Sequence, residues 1–449
     1  MGESKLLCGS FFLFAVSDTI LILLLKKGDA NWGGLPPEMI TMSAQMPLFD
    51  DAEVSPLALS RRAAITTGLG FACLVRRNAF GAGTPSGSVS PASVVSQPAR
   101  QWGAGAPPAY LPDPDVIALD PSFHDLTYFA APIRRLWDQG GWLEGPAWSS
   151  EGRFLVLSDV IQSKALRYIW ETGEITQFRP EGYAANGNCF DFDGRLVVCE
   201  DFFRRVVRWE HDGSVKVLAD SFDGKGLNSP NDIVPRPDGS LWFTDPGYGD
   251  NITEGHADAP GGPANRDGRL RWNIGRELIG EIGGTKRQSD HVFRIDPDGS
   301  VRAVLQEVDL HDPNGLCFSP DYKKLYIVST PKGPGQSIGG DQAIHVYDVN
   351  GSTLGPGQVF ADMRLNGVQM NPDGIRVDVF GNLWCGASGP LGLCGVFVFN
   401  PAGKLIGRLR LPQGCSNLTF GGPKRDHLFM CAANSLFVLQ VGTQGFAPS

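Results

Sequence analysis

The sequence repeats one short unit, in which a polar residue precedes a strand, a turn of Asp, Asn or Gly follows, and a second strand completes a hairpin. The stretch N-S-P-N-D-I-V-P-R-P-D-G-S-L-W-F-T-D-P, from Asn228 to Pro246, shows this unit clearly. Its turn, Pro237-Asp238-Gly239, lies between apolar runs that are typical of β-strands. The unit occurs six times, beginning at Glu144, Asn186, Asn231, Asn314, Asp373 and Ser416.

These repeats predict an all-β fold, a six-bladed β-propeller with four-stranded blades over residues 121–445. The base period of roughly 40 to 50 residues is that of one propeller blade, and the wider gaps predict insertions, the longest at 250–290. The segment 126–136 is predicted to pair near 436–441 and close the ring, although either terminal strand could complete the last blade. The 57 Gly and 33 Pro residues punctuate short apolar runs without a periodic tract, which fits this fold.

The residues before the propeller divide into three predicted segments. Residues 1–40 are interpreted as an unstructured or upstream extension, whose apolar run 11–25 is short for a membrane span of roughly 20 residues. At 41–82, Arg61-Arg62 before an apolar run resembles a twin-arginine signal, which predicts transient contact with that export machinery and a periplasmic location. A chance arginine pair is the alternative. Residues 83–120, rich in Gly, Pro, Ala and Ser, are predicted to be a flexible linker.

Charge and cysteine content narrow the class of partner. The net charge is −9 and no basic cluster is present, which argues against a nucleic-acid surface and favours a small-molecule partner. The nine cysteines form no C-x-x-C pair, so a zinc knuckle and a thioredoxin-type motif are both absent. Cys189 and Cys199 flank one hairpin and could form a disulfide. Buried apolar packing is the preferred interpretation of Cys317, Cys385, Cys394, Cys415 and Cys431.

The repeat also predicts a metal site. The inner strand of each propeller blade lines the central channel, so the residues that begin the repeats converge on one axis. Carboxylate and carboxamide oxygens suit a hard cation, Ca²⁺ or Mg²⁺, with Mn²⁺ and Zn²⁺ as alternatives. Asn and Asp also cap turns, but their recurrence at one point of the repeat favours ligands. The oxygen donors are the carboxylates of Glu144 and Asp373 and the carboxamides of Asn186, Asn231 and Asn314.

Four motifs carry a family resemblance. They are E-G-P-A-W at 144–148, N-S-P-N-D at 228–232, P-N-G-L at 313–316 and P-D-G at 372–374. In this order, over about residues 130–441, the sequence resembles the gluconolactonases and the senescence marker protein 30 group. The resemblance implies a six-bladed propeller with one divalent cation, Ca²⁺ as first choice, and a lactone as the small-molecule substrate.

The resemblance also implies roles for individual residues. Asp373 would be the general base, taking a proton as water attacks a lactone carbonyl polarised by the cation, so no nucleophilic serine is required. Asn231 would face water or substrate beside the cation. The expected metal ligands are Glu144, Asn314, Asp373 and Asn231, the expected catalytic residues are Asp373 and Asn231, and Asn186 and Asn228 are assigned to substrate binding.

One departure from the family pattern weakens the prediction of a sugar-acid lactone. Many relatives carry a basic residue near the N-S-P-N-D motif, whereas this chain has Gly226-Leu227 before Asn228. Lys225, or the arginines at 266, 269 and 271, could substitute. Two other classes stay open: a non-enzymatic calcium-binding propeller that binds a ligand or protein, and a strictosidine-synthase relative, which should not share all four motifs.

Overall fold

The computed structural model describes residues 12–16, 19–23, 90–179, 182–247, 288–331, 339–446 and 448. Within these ranges the regular structure consists of strands β1 to β32 and one short 3₁₀ helix, so the fold is all-β as predicted. The region 41–82, with its twin-arginine motif, and most of the predicted insertion 250–290 lie outside the described residues.

The contacts divide the chain into two units, Met1–Ser86 and Gly87–Ser449. In the first unit, β1 (Phe12–Val16) and β2 (Thr19–Leu23) pair as antiparallel strands. Both strands lie within the apolar run that is short for a membrane span. Among the described residues, no helix has the length and apolar character needed to cross a bilayer.

The prediction of a flexible linker at 83–120 is wrong for residues 90–120, which belong to the same unit as the propeller. Here β3 (Val116–Ala118) pairs with a propeller strand. Arg100 binds Asp113 at 2.8 Å, and Arg410 donates to Asp115 at 2.9 Å. The Gly- and Pro-rich composition suggested flexibility, but a few buried ion pairs anchor the segment. The helix (Pro121–Leu126) and β4 (Arg134–Trp137) follow.

Six antiparallel sheets form the blades, and their strands pair in chain order. Blade one contains β5 (Leu143–Ser149), β6 (Phe154–Asp159), β7 (Lys164–Ile169) and β8 (Ile175–Arg179). Blade two contains β9 (Ala185–Phe190), β10 (Leu196–Glu200), β11 (Arg205–Trp209) and β12 (Val215–Ala219). After the hairpin β13 (Ser221–Phe222) and β14 (Lys225–Gly226), blade three contains β15 (Ile233–Pro235), β16 (Leu241–Asp245), β17 (His291–Ile295) and β18 (Val301–Gln306).

The last three blades carry small additions. Blade four contains β19 (Pro313–Phe318), β20 (Lys324–Ser329), β21 (Ala343–Asn350) and β23 (Gln358–Ala361), with β22 (Thr353–Leu354) beside β21. After the hairpin β24 (Arg364–Leu365) and β25 (Val368–Gln369), blade five contains β26 (Asn371–Val377), β27 (Leu383–Ser388), β28 (Gly395–Phe399) and β29 (Leu405–Arg410), and β3 extends it. Blade six contains β30 (Cys415–Gly421), β31 (His427–Ala432) and β32 (Ser435–Gln440).

The N-terminal strand β4 completes blade six and closes the ring. It pairs with β32, with Arg135 opposite Phe437, and a further bridge joins Thr127 to Val441. The predicted pairing of 126–136 with 436–441 is confirmed. The terminal strand that closes the ring is therefore the N-terminal one.

The hydrophobic core is a ring of clusters, each of which lies between two adjacent blades. Trp384 of blade five and Phe420 of blade six meet edge to face, with ring centroids 5.6 Å apart. Trp148 of blade one stacks on Phe429 of blade six at 5.9 Å, across the closure. Because the apolar side chains pack between blades, the axis is left to the polar residues of the inner strands.

The hairpin within residues 228–246 forms as predicted. β15 and β16 pair with Val234 opposite Trp242. The Asp238 carboxylate accepts a hydrogen bond from the Ser240 amide at 3.0 Å, and Gly239 adopts φ of 83°, a conformation that favours glycine.

The cysteines in the described ranges are free and buried, so the disulfide considered between Cys189 and Cys199 is not formed. Cys189 lies opposite Val197 in the β9–β10 pairing rather than opposite Cys199. The interpretation of the remaining five as buried apolar residues is confirmed.

Candidate active site on the propeller axis

A shift in strand pairing recurs at the polar residue of the inner strand. In blade four, Pro313 pairs with Ser329 but Leu316 pairs with Ile327, so the inner strand holds one extra residue at Asn314-Gly315. Such bulges bend a strand and change the direction of its side chains. Equivalent shifts occur at Gly145-Pro146, Asn186-Gly187, Asp373-Gly374 and Ser416.

Glycine at the bulges allows neighbouring inner strands to touch. A Cβ on Gly145 would collide with the carbonyl oxygen of Asn186, and one on Gly315 with that of Asp373. A Cβ on Gly187 would likewise collide with the carbonyl oxygen of Asn231, and one on Gly374 with the side chain of Asn417. Any larger residue would push the strands apart. The E-G, N-G and D-G pairs of the repeat therefore bring the polar residues of different blades together.

Two carboxyl groups form the centre of this ring. Glu144 is buried, with 5% of its surface exposed, and accepts hydrogen bonds from the Trp142 indole at 3.3 Å and from Asn417. Asp373, partly exposed, accepts a hydrogen bond from the Asn314 carboxamide. The structure thus brings three predicted ligands, from blades one, four and five, into one cluster.

The electrostatics of the pair favour a proton or a cation. Burial raises the pKa of Glu144 from 4.5 to about 7, and the nearby Asp232 carboxylate adds to the rise. Burial also raises the pKa of Asp373 well above its ordinary value, and the charges of Glu144 and then Asp232 raise it further. Both carboxyl groups are therefore costly to ionise together unless a positive charge joins them.

Asp232 has a partner that the central pair lacks. Its Oδ2 lies 3.0 Å from Nη1 of Arg376, and both side chains are buried. Arg376 also donates to the carbonyl oxygen of Ile375 at 2.7 Å. The sequence analysis missed this ion pair because Asp232 and Arg376 are 144 positions apart and no local pattern links them.

The carboxamides of Asn231 and Asn186 have different surroundings. Asn231 is 6% exposed, and within the described ranges its backbone, but not its side chain, forms hydrogen bonds. Its carboxamide is therefore available to a ligand. Asn186 donates to the buried carboxylate of Asp201, while its Oδ1 is buried without a hydrogen-bond partner among the described residues. Burial raises the pKa of Asp201, and the Arg204 charge opposes that rise.

Asn228 does not suit its predicted role in substrate binding. Its side chain is fully buried, donates to the carbonyl oxygens of Asp245 and Ser289, and accepts from the amide of Gln288. This carboxamide instead joins the N-S-P-N-D loop to the start of β17.

The position of a basic side chain near that loop also differs from expectation. Lys225 is exposed on the β13–β14 hairpin, and the arginines at 266, 269 and 271 lie outside the described residues. Arg204, which the sequence analysis did not consider, donates from Nη1 to the carbonyl oxygen of Asn228.

Blade six contributes Asn417 rather than Ser416 to the ring. The Ser416 hydroxyl donates to the carbonyl oxygen of Leu143 at 2.7 Å and also contacts that of Cys431. It therefore links strands across the closure of the propeller. Asn417, one residue later, hydrogen-bonds to Glu144. The pairing shift between Cys415 and Asn417 explains the displacement by one position.

The donor set fits a hard divalent cation. Glu144 and Asp373 offer carboxylate oxygens, and Asn314 and Asn231 offer carboxamide oxygens, the ligand types that Ca²⁺ and Mg²⁺ prefer. Within the described ranges, no group of three or more His, Cys, Asp and Glu side chains is arranged to hold a metal ion. The predicted set has only two such members and depends on carboxamides for the rest.

Comparisons with known proteins agree with the fold and the motifs. Residues 142–434 match the model of the SMP-30/gluconolactonase/LRE-like region. A gluconolactonase from Zymomonas mobilis is 27% identical over 354 residues, which cover 74% of this chain and 86% of that protein. The solved structure of a gluconolactonase from Xanthomonas campestris is 29% identical with a TM-score of 0.59, covering 76% of this chain and 99% of the other.

A more distant structure shares the fold alone. The calcium-binding protein regucalcin from Agrobacterium tumefaciens is 17% identical with a TM-score of 0.50, over 69% of this chain and 94% of that one. The family match covers more than half of the sequence and contains all six blades' inner strands. The chain therefore belongs to the SMP-30/gluconolactonase/LRE-like family.

Proposed function

We propose that the protein hydrolyses a lactone, a sugar-acid or related one, with the help of one divalent cation on the propeller axis. Family membership and the gluconolactonase relatives support lactone hydrolysis. The observation that carries the metal proposal is the pair Glu144 and Asp373: burial raises the pKa of both carboxyl groups, and the charge of Glu144 raises that of Asp373 further. Within the described ranges, no Lys, Arg or His side chain neutralises either of them.

Glu144, Asn314 and Asp373 would hold the cation, with Asn231 as a further ligand. Ca²⁺ is the first choice for this oxygen-rich set, and Zn²⁺, Mg²⁺ and Mn²⁺ are the alternatives. When bound, such a cation polarises the lactone carbonyl and lowers the pKa of water. Trp142 and Asn417 hold the Glu144 carboxylate in place through their hydrogen bonds.

The remaining chemistry falls to two side chains. Asp373 accepts a proton from the attacking water as the water oxygen bonds to the carbonyl carbon. The ring C–O bond then breaks, and the departing ring oxygen takes that proton, so the product is an open hydroxy acid. The Asn231 carboxamide, which forms no hydrogen bond within the described ranges, can donate to a substrate oxygen and hold it during attack.

The test is hydrolysis of a panel of γ- and δ-lactones by protein stripped of metal and then supplied with one cation at a time. We expect activity to disappear on stripping and to return with a divalent cation. A cation that raises the melting temperature while every lactone stays intact would favour the alternative, a calcium-binding propeller without enzymatic activity.

We also propose export to the periplasm through the twin-arginine pathway. The support is the Arg61-Arg62 pair before the apolar run 63–75. Replacing both arginines with lysines should keep the protein in the cytoplasmic fraction, whereas periplasmic recovery of that variant would contradict this route.

A further inference from the structure

We propose that the lactone carries an apolar substituent, and that Trp142, Tyr183, Phe202 and Phe203, here called the aromatic wall, receive it. This inference rests on the proposed lactone hydrolysis and names the substrate class of the same site. The central residues of the site are polar, but one side of their neighbourhood, contributed by blades one and two, is aromatic.

The aromatic wall starts at the carboxylate pair. The Trp142 indole donates to Oε1 of Glu144 at 3.3 Å. Trp142 and Phe202 both pack against the buried pair Val160 and Ala184. From there the wall continues outward, because the Phe203 ring lies 4.8 Å from that of Phe202 and 5.0 Å from that of Tyr183.

The loop that carries the two phenylalanines is fixed at both ends. Asp201 accepts a hydrogen bond from Asn186, and Arg204 donates to the carbonyl oxygen of Asn228. Between them, the amide of Phe202 donates to the carbonyl oxygen of Tyr183 at 3.1 Å. The rings are therefore held in place before a ligand arrives, which lowers the entropic cost of binding.

The exposure of the aromatic wall points to an apolar ligand. Phe203 is 46% exposed, and the other three rings are partly exposed. Several adjoining rings beside a polar site make a patch that an apolar group can cover, unlike a single surface phenylalanine. A lactone with hydroxyl groups on this side would leave them against ring faces without hydrogen-bond partners, which is unfavourable.

The test compares three δ-lactones on the cation-loaded protein: δ-valerolactone, δ-dodecalactone with its long alkyl chain, and polyhydroxylated glucono-δ-lactone. We expect kcat/KM for δ-dodecalactone to exceed that for δ-valerolactone by about tenfold or more. Phe203→Ser should remove most of that advantage, so that the kcat/KM values for the two lactones approach each other. Phe203→Leu, which keeps an apolar side chain, should retain much of it.

Phe192 provides a matched control. It lies in the same blade, in the turn between β9 and β10 rather than between β10 and β11, and is 47% exposed. Phe192→Ser should leave all three rates unchanged. Equal kcat/KM ratios in wild type and Phe203→Ser, or a preference for glucono-δ-lactone, would overturn the inference and leave the proposed function standing. If all three lactones stay intact, the proposed function falls and the inference with it.

Discussion

Three carboxylates lie near the axis of this propeller, and Asp232 is neutralised differently from Glu144 and Asp373. Asp232 forms an ion pair with Arg376 at 3.0 Å, so its partner is a side chain of the protein itself. Glu144 and Asp373 form no ion pair within the described ranges; burial raises the pKa of both carboxyl groups, and the charge of Glu144 raises that of Asp373 further. Asp232 is therefore neutralised without a ligand, whereas Glu144 and Asp373 need a proton or a cation.

The difference separates a structural role from a functional one. A buried charge that has lost its hydration needs compensation by a partner, a metal or a shift in pKa. Arg376 compensates Asp232 permanently, so that pair stabilises the fold around the site. The Glu144 and Asp373 pair has no such partner among the described residues, as expected for the proposed cation site.

The largest expected effect is on turnover, from Asp373→Asn. Because the proposed general base is lost, kcat should fall between about 10²- and 10⁴-fold. The same change removes one of two repelling carboxyl groups, so the melting temperature of the metal-free protein should rise at neutral pH. Lactone hydrolysis and thermal unfolding measure the two effects. Unchanged turnover in a folded variant would eliminate Asp373 as the base.

Arg376→Met should damage stability rather than chemistry. It leaves Asp232 buried without its partner, which costs about 3–5 kcal/mol in comparable cases. The free energy of unfolding, from urea denaturation, should drop accordingly. In the double variant Asp232→Asn/Arg376→Met most of that loss should disappear. If the double variant is no more stable than the single one, the ion pair is not the source of the effect.

The pH dependence of stability should come from the central pair. Folding raises the pKa of Glu144 from 4.5 to about 7, so the folded metal-free protein binds this proton more tightly than the unfolded chain. That stabilisation is fully present below pH 4.5 and is lost as the pH rises through about 7. Melting temperatures with chelator should therefore fall over this window. Added divalent cation should counter the fall, and Glu144→Gln should flatten it.

If the melting temperature falls with pH as steeply in Glu144→Gln as in wild type, other groups cause the pH dependence. The carboxamide of the variant keeps the hydrogen-bonding shape of the side chain but cannot ionise, so it isolates the charge.

The smallest expected effects compare neighbouring residues of blade six. Ser416→Ala removes the hydrogen bond to the carbonyl oxygen of Leu143 across the ring closure and should cost about 1–2 kcal/mol of unfolding free energy, with cation affinity unchanged. Asn417→Ala removes a donor to Glu144 and should weaken cation binding by about 10- to 100-fold. Calorimetric titration and urea denaturation distinguish them. Reversed results would restore Ser416 to the ring.

Much of the fold was predictable because each repeat contains two paired strands together with the turn that joins them. β17 was recognised as a blade strand although 45 residues separate its start from the preceding Asp245 in the numbering, roughly a whole blade period. The segment 90–120 was not predictable in the same way. Its composition indicates flexibility, and the ion pair of Asp115 with Arg410 that opposes this depends on a residue distant in sequence.

The site was predictable where the repeat carries its signal and not elsewhere. Asn314 and Asp373 lie in equivalent bulges, and Glu144 directly precedes the bulge of blade one, so their convergence follows from the fold. Three features depend on exact register and on contacts between residues distant in sequence: the hydrogen bonds that bury Asn228, the choice of Asn417 over Ser416, and the pairing of Asp232 with Arg376. A single sequence does not display either.

The central claim is that the Glu144 and Asp373 pair holds the cation. Its most direct test is the number of divalent ions retained per chain after equilibrium dialysis, measured by elemental analysis. We expect one ion per wild-type chain, none in Glu144→Gln/Asp373→Asn, and one in Asp232→Asn/Arg376→Met, provided each variant is folded. A wild-type chain that retains no ion, or a Glu144→Gln/Asp373→Asn variant that retains one, would contradict the account.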